Sequence, residues 1–177
     1  MAPKILLTGV PGIGKTTVAT KVAESLGQAA GGFYTEETRE GGKRTGFDII
    51  TLDGQRATLS RVNKKSKYRV GKYGVDVESI ERVAVPAIQQ AITERKAVII
   101  DEIGKMELFS EKFRELVTNA FNAPNPVLAV IMLKSHPFAD FIKQRPDTKT
   151  LEVTPSNRDS LAHQILNELN PASQGGD

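Results

Sequence analysis

The sequence predicts an α/β fold, a mostly parallel sheet covered by helices with an antiparallel β insertion after the first helix. Two all-apolar, β-branched runs, 97–100 and 127–133, have the composition of strands buried on both faces. Segments of helical period alternate with them along the chain. A glycine-rich loop stands between an apolar run at 4–8 and the first helical segment.

The elements follow in order. Residues 4–8 read as a short buried strand and 15–26 as a helix with Val18, Val22, Ala23 and Leu26 on one side; Gly27 ends it. Strands are expected at 33–38 and 47–52, with a turn at 40–43 between them. Asp53-Gly54 is a hairpin signal leading to a third strand at 57–62, and 63–68 is a polar basic loop. A helix is expected over 77–93, kinked or split by Pro86. The buried strand at 97–100 comes next. Residues 110–121 form a helix with Ser110 as its N-cap. The strand at 127–133 precedes a short helix at 137–144, a strand at 149–153 and a closing helix at 156–169.

The 177 residues suit one domain, 1–169, with the insertion at 33–62 and a polar tail at 170–177 expected to be disordered. With 39% hydrophobic and 25% charged residues the composition is that of a soluble globular protein. No segment approaches membrane-spanning length. There is no cysteine, which excludes disulfides and Cys-ligated zinc and suits a cytoplasmic protein. Two histidines, His136 and His163, make a transition-metal site a poor expectation. A net charge of +3 favours anionic partners without choosing among them.

Gly9-Val10-Pro11-Gly12-Ile13-Gly14-Lys15-Thr16 fits the phosphate-binding loop G-x-x-x-x-G-K-[ST], and Thr17 follows. Glycines let successive N–H groups point at one centre, and the helix start adds its dipole. Lys15 is placed to reach the β- and γ-phosphates of a nucleoside triphosphate, and the Thr16 hydroxyl to ligate Mg²⁺. The run at 97–100 ends in Asp101-Glu102, the pattern of a Walker B strand. Asp101 is expected on the metal side and Glu102 at the attacking water. Asp101-Glu102-Ile103-Gly104 also spells the D-x-x-G of GTPases. Asn63-Lys64, however, is followed by Lys65-Ser66 rather than completing N-K-x-D, so no guanine specificity is implied.

With these motifs in view the chain resembles the small P-loop nucleoside-triphosphatases, the family of the cancer-related nucleoside-triphosphatase and its prokaryotic relatives. Residues 9–17, 32–37, 46–48 and 101–108 carry the resemblance, with 70–76 fitting as well. It implies a P-loop NTPase fold and hydrolysis of ATP, GTP, CTP and UTP to diphosphate and phosphate. Carried over by position, 9–16 bind the phosphates. Ile99, Ile100, Asp101, Glu102, Ile103, Gly104, Lys105 and Met106 form the other wall of the nucleotide site. Ile131-Met132 departs from the Ile-Pro that the resemblance implies late in the strand at 127–133.

Weaker signals stay open between two readings. Lys105 is a candidate for steadying γ-phosphate charge, or a surface lysine. Arg39 and Arg44 flank a turn and either reach phosphates or solubilise a hairpin tip. Asn157-Arg158 contacts the base or caps the last helix. Arg56, Arg61, Lys64, Lys65, Lys67, Arg69 and Lys72, with Tyr68 and Tyr73, make a nucleic-acid patch possible, but a solvated face is favoured. Phe109, Phe113, Leu116 and Val117 are spaced as core. Two rival functions fit the same motifs, a small-molecule or nucleotide kinase and a nucleotide-gated or nucleic-acid-binding regulator.

Overall fold

The structure is a computed structural model in which residues 2–170 are described. Apart from Asn170, the polar tail lies outside the described residues.

Nine strands form one sheet in the order β5-β6-β4-β3-β2-β7-β8-β1-β9. They are β1 (Lys4–Thr8), β2 (Ala30–Glu40), β3 (Lys43–Thr51), β4 (Arg56–Arg61), β5 (Arg69–Val70), β6 (Tyr73–Val75), β7 (Ala97–Ile103), β8 (Val127–Ile131) and β9 (Thr148–Glu152). The helices are α1 (Lys15–Leu26), α2 (Val77–Ser79), α3 (Val85–Thr93), α4 (Glu111–Asn122), α5 (Pro137–Lys143) and α6 (Arg158–Leu169). Strands β2, β7, β8, β1 and β9 run parallel; β3, β4, β5 and β6 extend the sheet antiparallel from β2.

Alternation along the parallel strands sorts side chains into two cores. On β1, Leu6 faces one core while Ile5 and Leu7 face the other. On β7, Val98 and Ile100 take the first side and Ile99 the second; on β8, Val127, Ala129 and Ile131 oppose Leu128 and Val130. Helices α3 and α4 close the first core with Ile88, Phe113 and Val117. Helices α1 and α6 close the second with Val18, Val22, Leu161 and Ile165. A continuous apolar run is thus the signature of a strand that supplies both cores.

The insertion is not separate from the core sheet. β2 begins three residues before the expected start. Its first residues pair with β7, from Ala30 opposite Ala97 to Phe33 opposite Ile100, and from Phe33 onward it pairs with β3. Gly32 makes the transition possible. Its φ is 117°, and a Cβ there would lie 2.0 Å from the Ile99 carbonyl oxygen.

The helix expected over 77–93 forms and, as expected, is split ahead of Pro86. A π-helical segment, Ile80–Ala84, stands before it, and the Val85 N–H donates to Ile80 O. Pro86, near the start of α3, lacks an N–H and needs no acceptor in that turn.

Two buried polar residues tie helix ends to strands. Lys4 Nζ donates to the carbonyls of Ala120 (3.1 Å) and Ala123 (2.7 Å), which close α4. Asn125 Nδ2 donates to Ala91 O and Lys96 O at the end of α3. Ser110 caps α4 as expected, its Oγ accepting from Phe113 N at 3.1 Å, an interaction worth about 1 kcal/mol.

Candidate active site

Helix α1 starts from Gly14, whose φ of 112° is left-handed, and Val18 N donates back to Gly14 O at 3.0 Å. No side chain caps this end and no acid lies in the first turn, so its N–H groups are open to an anion. Ile13 turns inward and packs on the second core, while Val10 at the crest is exposed. Lys15 Nζ folds over the loop and donates to Gly9 O at 2.7 Å. Arg158, at the start of α6, brings its Cδ beside Gly14 and its Nη1 to 3.5 Å from Ile13 O.

Three acids gather at the end of β7. Asp101 is 1% exposed, and its Oδ2 has no hydrogen-bond partner. Burial pushes its carboxyl up to about 7, and the Glu102 charge adds to the rise. The Thr16 side chain, the Thr35 main chain and Lys15 oppose it. Burial raises Glu102 as well, against Lys15. Glu107, on the 3₁₀ turn Glu107–Phe109, is held well above the usual carboxylate range by burial and by the Glu102 and Asp101 charges.

The strand does not stop before the acids, as the apolar run alone suggests. It continues through them with a bulge. Asp101 pairs with Val130 and Ile103 with Ile131, leaving Glu102 as the extra residue. A bulge re-aims the side chain it releases. The Glu102 carboxyl lies over Gly104, where a Cβ would come within 2.4 Å of Oε1.

The family model described as NTPase matches residues 4–166. The nucleoside-triphosphatase THEP1 of Thermotoga sp. (strain RQ2) is 51% identical over 166 residues, 94% of this chain and 95% of that one. The chain belongs to this family of small nucleoside-triphosphatases. The human cancer-related nucleoside-triphosphatase is 41% identical over 182 residues, covering 94% and 96%. Among solved structures, THEP1 from the hyperthermophile Aquifex aeolicus superposes with a TM-score of 0.88 at 46% identity, over 94% of this chain and 98% of that one. The solution structure of the human cancer-related nucleoside triphosphatase gives 0.81 at 38% identity, over 99% and 100%.

Within this THEP1-like chain, the predicted residues divide. Lys15 and Thr16 of α1 and Asp101 and Glu102 of β7 are brought together. Ile99, Ile100 and Ile103 are core side chains, and Met106 packs partly buried on the first core, so these four face the cores and not the phosphate loop. Lys105 is exposed and makes no hydrogen bond or ion pair among the described residues. Arg39 and Arg44 both pair with Glu37, at 2.9 and 2.6 Å, which makes them hairpin-tip residues of about 0–1 kcal/mol each. Asn157 does not cap α6. It accepts from Thr154 N and donates to Glu152 O, both at 2.8 Å, and so closes the β9–α6 turn.

Much of the basic stretch is also paired. Arg56 Nη1 and Arg61 Nη2 hold the buried Asp48 at 2.8 and 2.6 Å, and Lys64 meets Asp76 at 3.3 Å. The Thr35 main chain meets Asp101, and Glu107 lies beside Asp101 and Glu102; the phosphate-loop and Walker B patterns assign neither of them a role. Four buried side-chain oxygens lack partners among the described residues: Thr8 Oγ1, Ser60 Oγ, Asp101 Oδ2 and Glu107 Oε2. All but Ser60 lie at the ends of β1 and β7 or on the turn that follows. Among the described residues no group of three or more His, Cys, Asp and Glu is placed to hold a metal ion, and no helix is long and apolar enough to cross a membrane.

A cavity of about 720 Å³ lies elsewhere, between the C-terminal half of α1, the β3–β4 turn and α3. It shares no residue with the phosphate loop.

Proposed function

We propose that this chain hydrolyses nucleoside triphosphates to diphosphate and phosphate with Mg²⁺, with water as acceptor and with little regard to the base. The observation that carries the reading is the bulge that frees Glu102 beside Asp101, within the field of Lys15. The open N–H groups of α1 and the Lys15 ammonium are suited to the triphosphate tail.

The donor set fits Mg²⁺. That ion keeps several waters and takes one or two protein oxygens, and Asp101 Oδ2 is an unpartnered buried oxygen whose carboxyl also meets the Thr16 side chain. Thr16 and Asp101 would hold it, and it supplies positive charge to the phosphoryl oxygens. The chain's own residues do the rest. Lys15 neutralises charge on the transferring group. Glu102 aligns the attacking water and accepts its proton as the oxygen bonds to Pγ and the bond from Pγ to the β-phosphate oxygen breaks. Burial raises the Glu102 carboxyl, which makes it a stronger base than an exposed glutamate.

Base tolerance follows from where the contacts go. Phosphate is common to all triphosphates, and no guanine-reading motif is present. The same reading keeps 1–169 as one domain in the cytoplasm and favours a solvated role for the remaining basic face over a nucleic-acid one.

Phosphate release from ATP, GTP, CTP and UTP, with Mg²⁺ and with excess chelator, tests the proposal. Rates should agree within roughly tenfold, about 1.4 kcal/mol, and vanish with chelator. Strict preference for one base, or diphosphate formed without free phosphate, would count against it.

A further inference from the structure

Glu107 is an expensive residue where it stands. It is 3% exposed, beside two other acids, and its neighbours Leu108, Met106 and Phe109 belong to or pack on the first core. A leucine there would bury without charge. Burying a carboxyl without full hydrogen bonding costs free energy, and such exceptions concentrate at functional sites.

The turn that carries it explains where that cost goes. Leu108 N donates to Gly104 O at 3.0 Å and Ser110 N to Glu107 O at 3.1 Å, so 104–110 is a closed turn in which Gly104, Glu107, Leu108 and Ser110 are buried. The N–H groups of Gly104 and of Glu107 itself face the Glu107 carboxyl, and neither satisfies Oε2. Gly104 is also the surface on which the Glu102 carboxyl rests: Oε1, Cδ and Cγ all lie within 2.9 Å of where its Cβ would be. Glu102 thus stands on one side of Gly104 and the Glu107 carboxyl on another.

We infer that Glu107 is a positioning residue, whose carboxyl fixes the Gly104 main chain and thereby the Glu102 carboxyl that rests on it. The inference depends on Glu102 being the group that handles the water. A side chain at 107 must offer an oxygen acceptor to the Gly104 N–H; the negative charge is not itself required. Glutamine meets that condition and leucine does not.

The test compares Glu107→Gln, Glu107→Leu and Glu102→Gln in steady-state ATP hydrolysis and thermal unfolding. Glu107→Gln should keep kcat within about threefold of the parent. Glu107→Leu should lose at least tenfold in kcat, with KM for ATP within about twofold and a melting temperature no lower than the parent's. A misplacement of about 1 Å at a reacting group costs losses of this kind. Normal kcat in Glu107→Leu, with Glu102→Gln inactive, overturns the positioning role and leaves Glu102's role standing. A Glu107→Gln variant as impaired as the leucine variant also overturns it, because the charge would then be the requirement. Normal turnover in Glu102→Gln instead removes the premise and is recognised separately.

Discussion

Asp101 and Glu102 are consecutive in β7 but stand differently in the sheet: Asp101 pairs with Val130, whereas Glu102 is the bulged residue before Ile103 meets Ile131. In a regular strand consecutive side chains would simply point to opposite faces. The bulge separates two carboxyl roles. One acid stays fully buried at the ladder, near Thr16; the other turns back over Gly104.

The burial of Asp101 has a consequence for stability. Its carboxyl is raised from 3.8 to about 7 in the folded chain. Below pH 3.8 both states are protonated and nothing is lost. As pH rises towards 7 the unfolded chain releases this proton first, so stability falls across that window and the loss is complete above it. At about 1.4 kcal/mol per unit the loss is at most on the order of 4 kcal/mol. Without metal, Asp101→Asn should melt several degrees higher than the parent at pH 8 and equal it near pH 4, because about 1 kcal/mol moves the midpoint by roughly 2–4 °C in a chain of this size. Thermal melts of both proteins in chelator at the two pH values check this.

Gly104→Ala tests the platform under Glu102. The added Cβ would meet the end of a flexible side chain and not the main chain, so the fold should hold. The Glu102 carboxyl must move, and kcat should drop by roughly tenfold or more with KM little changed. Steady-state kinetics and a melting curve on the purified variant check both halves.

Lys15→Ala removes the ammonium that folds over the phosphate loop. Triphosphate affinity should fall and turnover should nearly stop, since a charge-assisted contact to the β- and γ-phosphates is lost. The melting temperature should change little near pH 4, where Asp101 is protonated and the side chain's one hydrogen bond is to Gly9 O. Near-normal turnover would take the loop out of the mechanism.

The parts legible in the sequence were those in which one local pattern matches one structural job. The runs at 5–7, 98–100 and 127–131 alternate between two cores and read plainly as buried strands; Ser110 sits where an N-cap serves. The phosphate loop and the Asp101-Glu102 pair are legible for the same reason, a fixed spacing with a fixed geometry. What escaped depends on contacts distant in sequence. The strand expected from 33 begins at Ala30, because Ala30, Gly31 and Gly32 pair with β7. Asn157 has the composition of a cap, but the Glu152 and Thr154 main chains compete for its side chain. Glu107 lies in the 101–108 segment, but its burial depends on the turn after β7 and is not visible in the sequence.

The most direct measurement pairs nucleotide binding with phosphate release for Glu102→Gln. Glutamine keeps the size and hydrogen bonding of Glu102 and removes its capacity to take a proton. The account predicts ATP and Mg²⁺ affinity within a few-fold of the parent and turnover lower by roughly 10²–10⁴-fold, the range for a lost general base. Asp101→Asn, measured beside it, should lose Mg²⁺ response and turnover together. Phosphate release at the parental rate from Glu102→Gln would contradict the account, and would place the water with another group, Glu36 and Glu37 of β2 being the next acids to test.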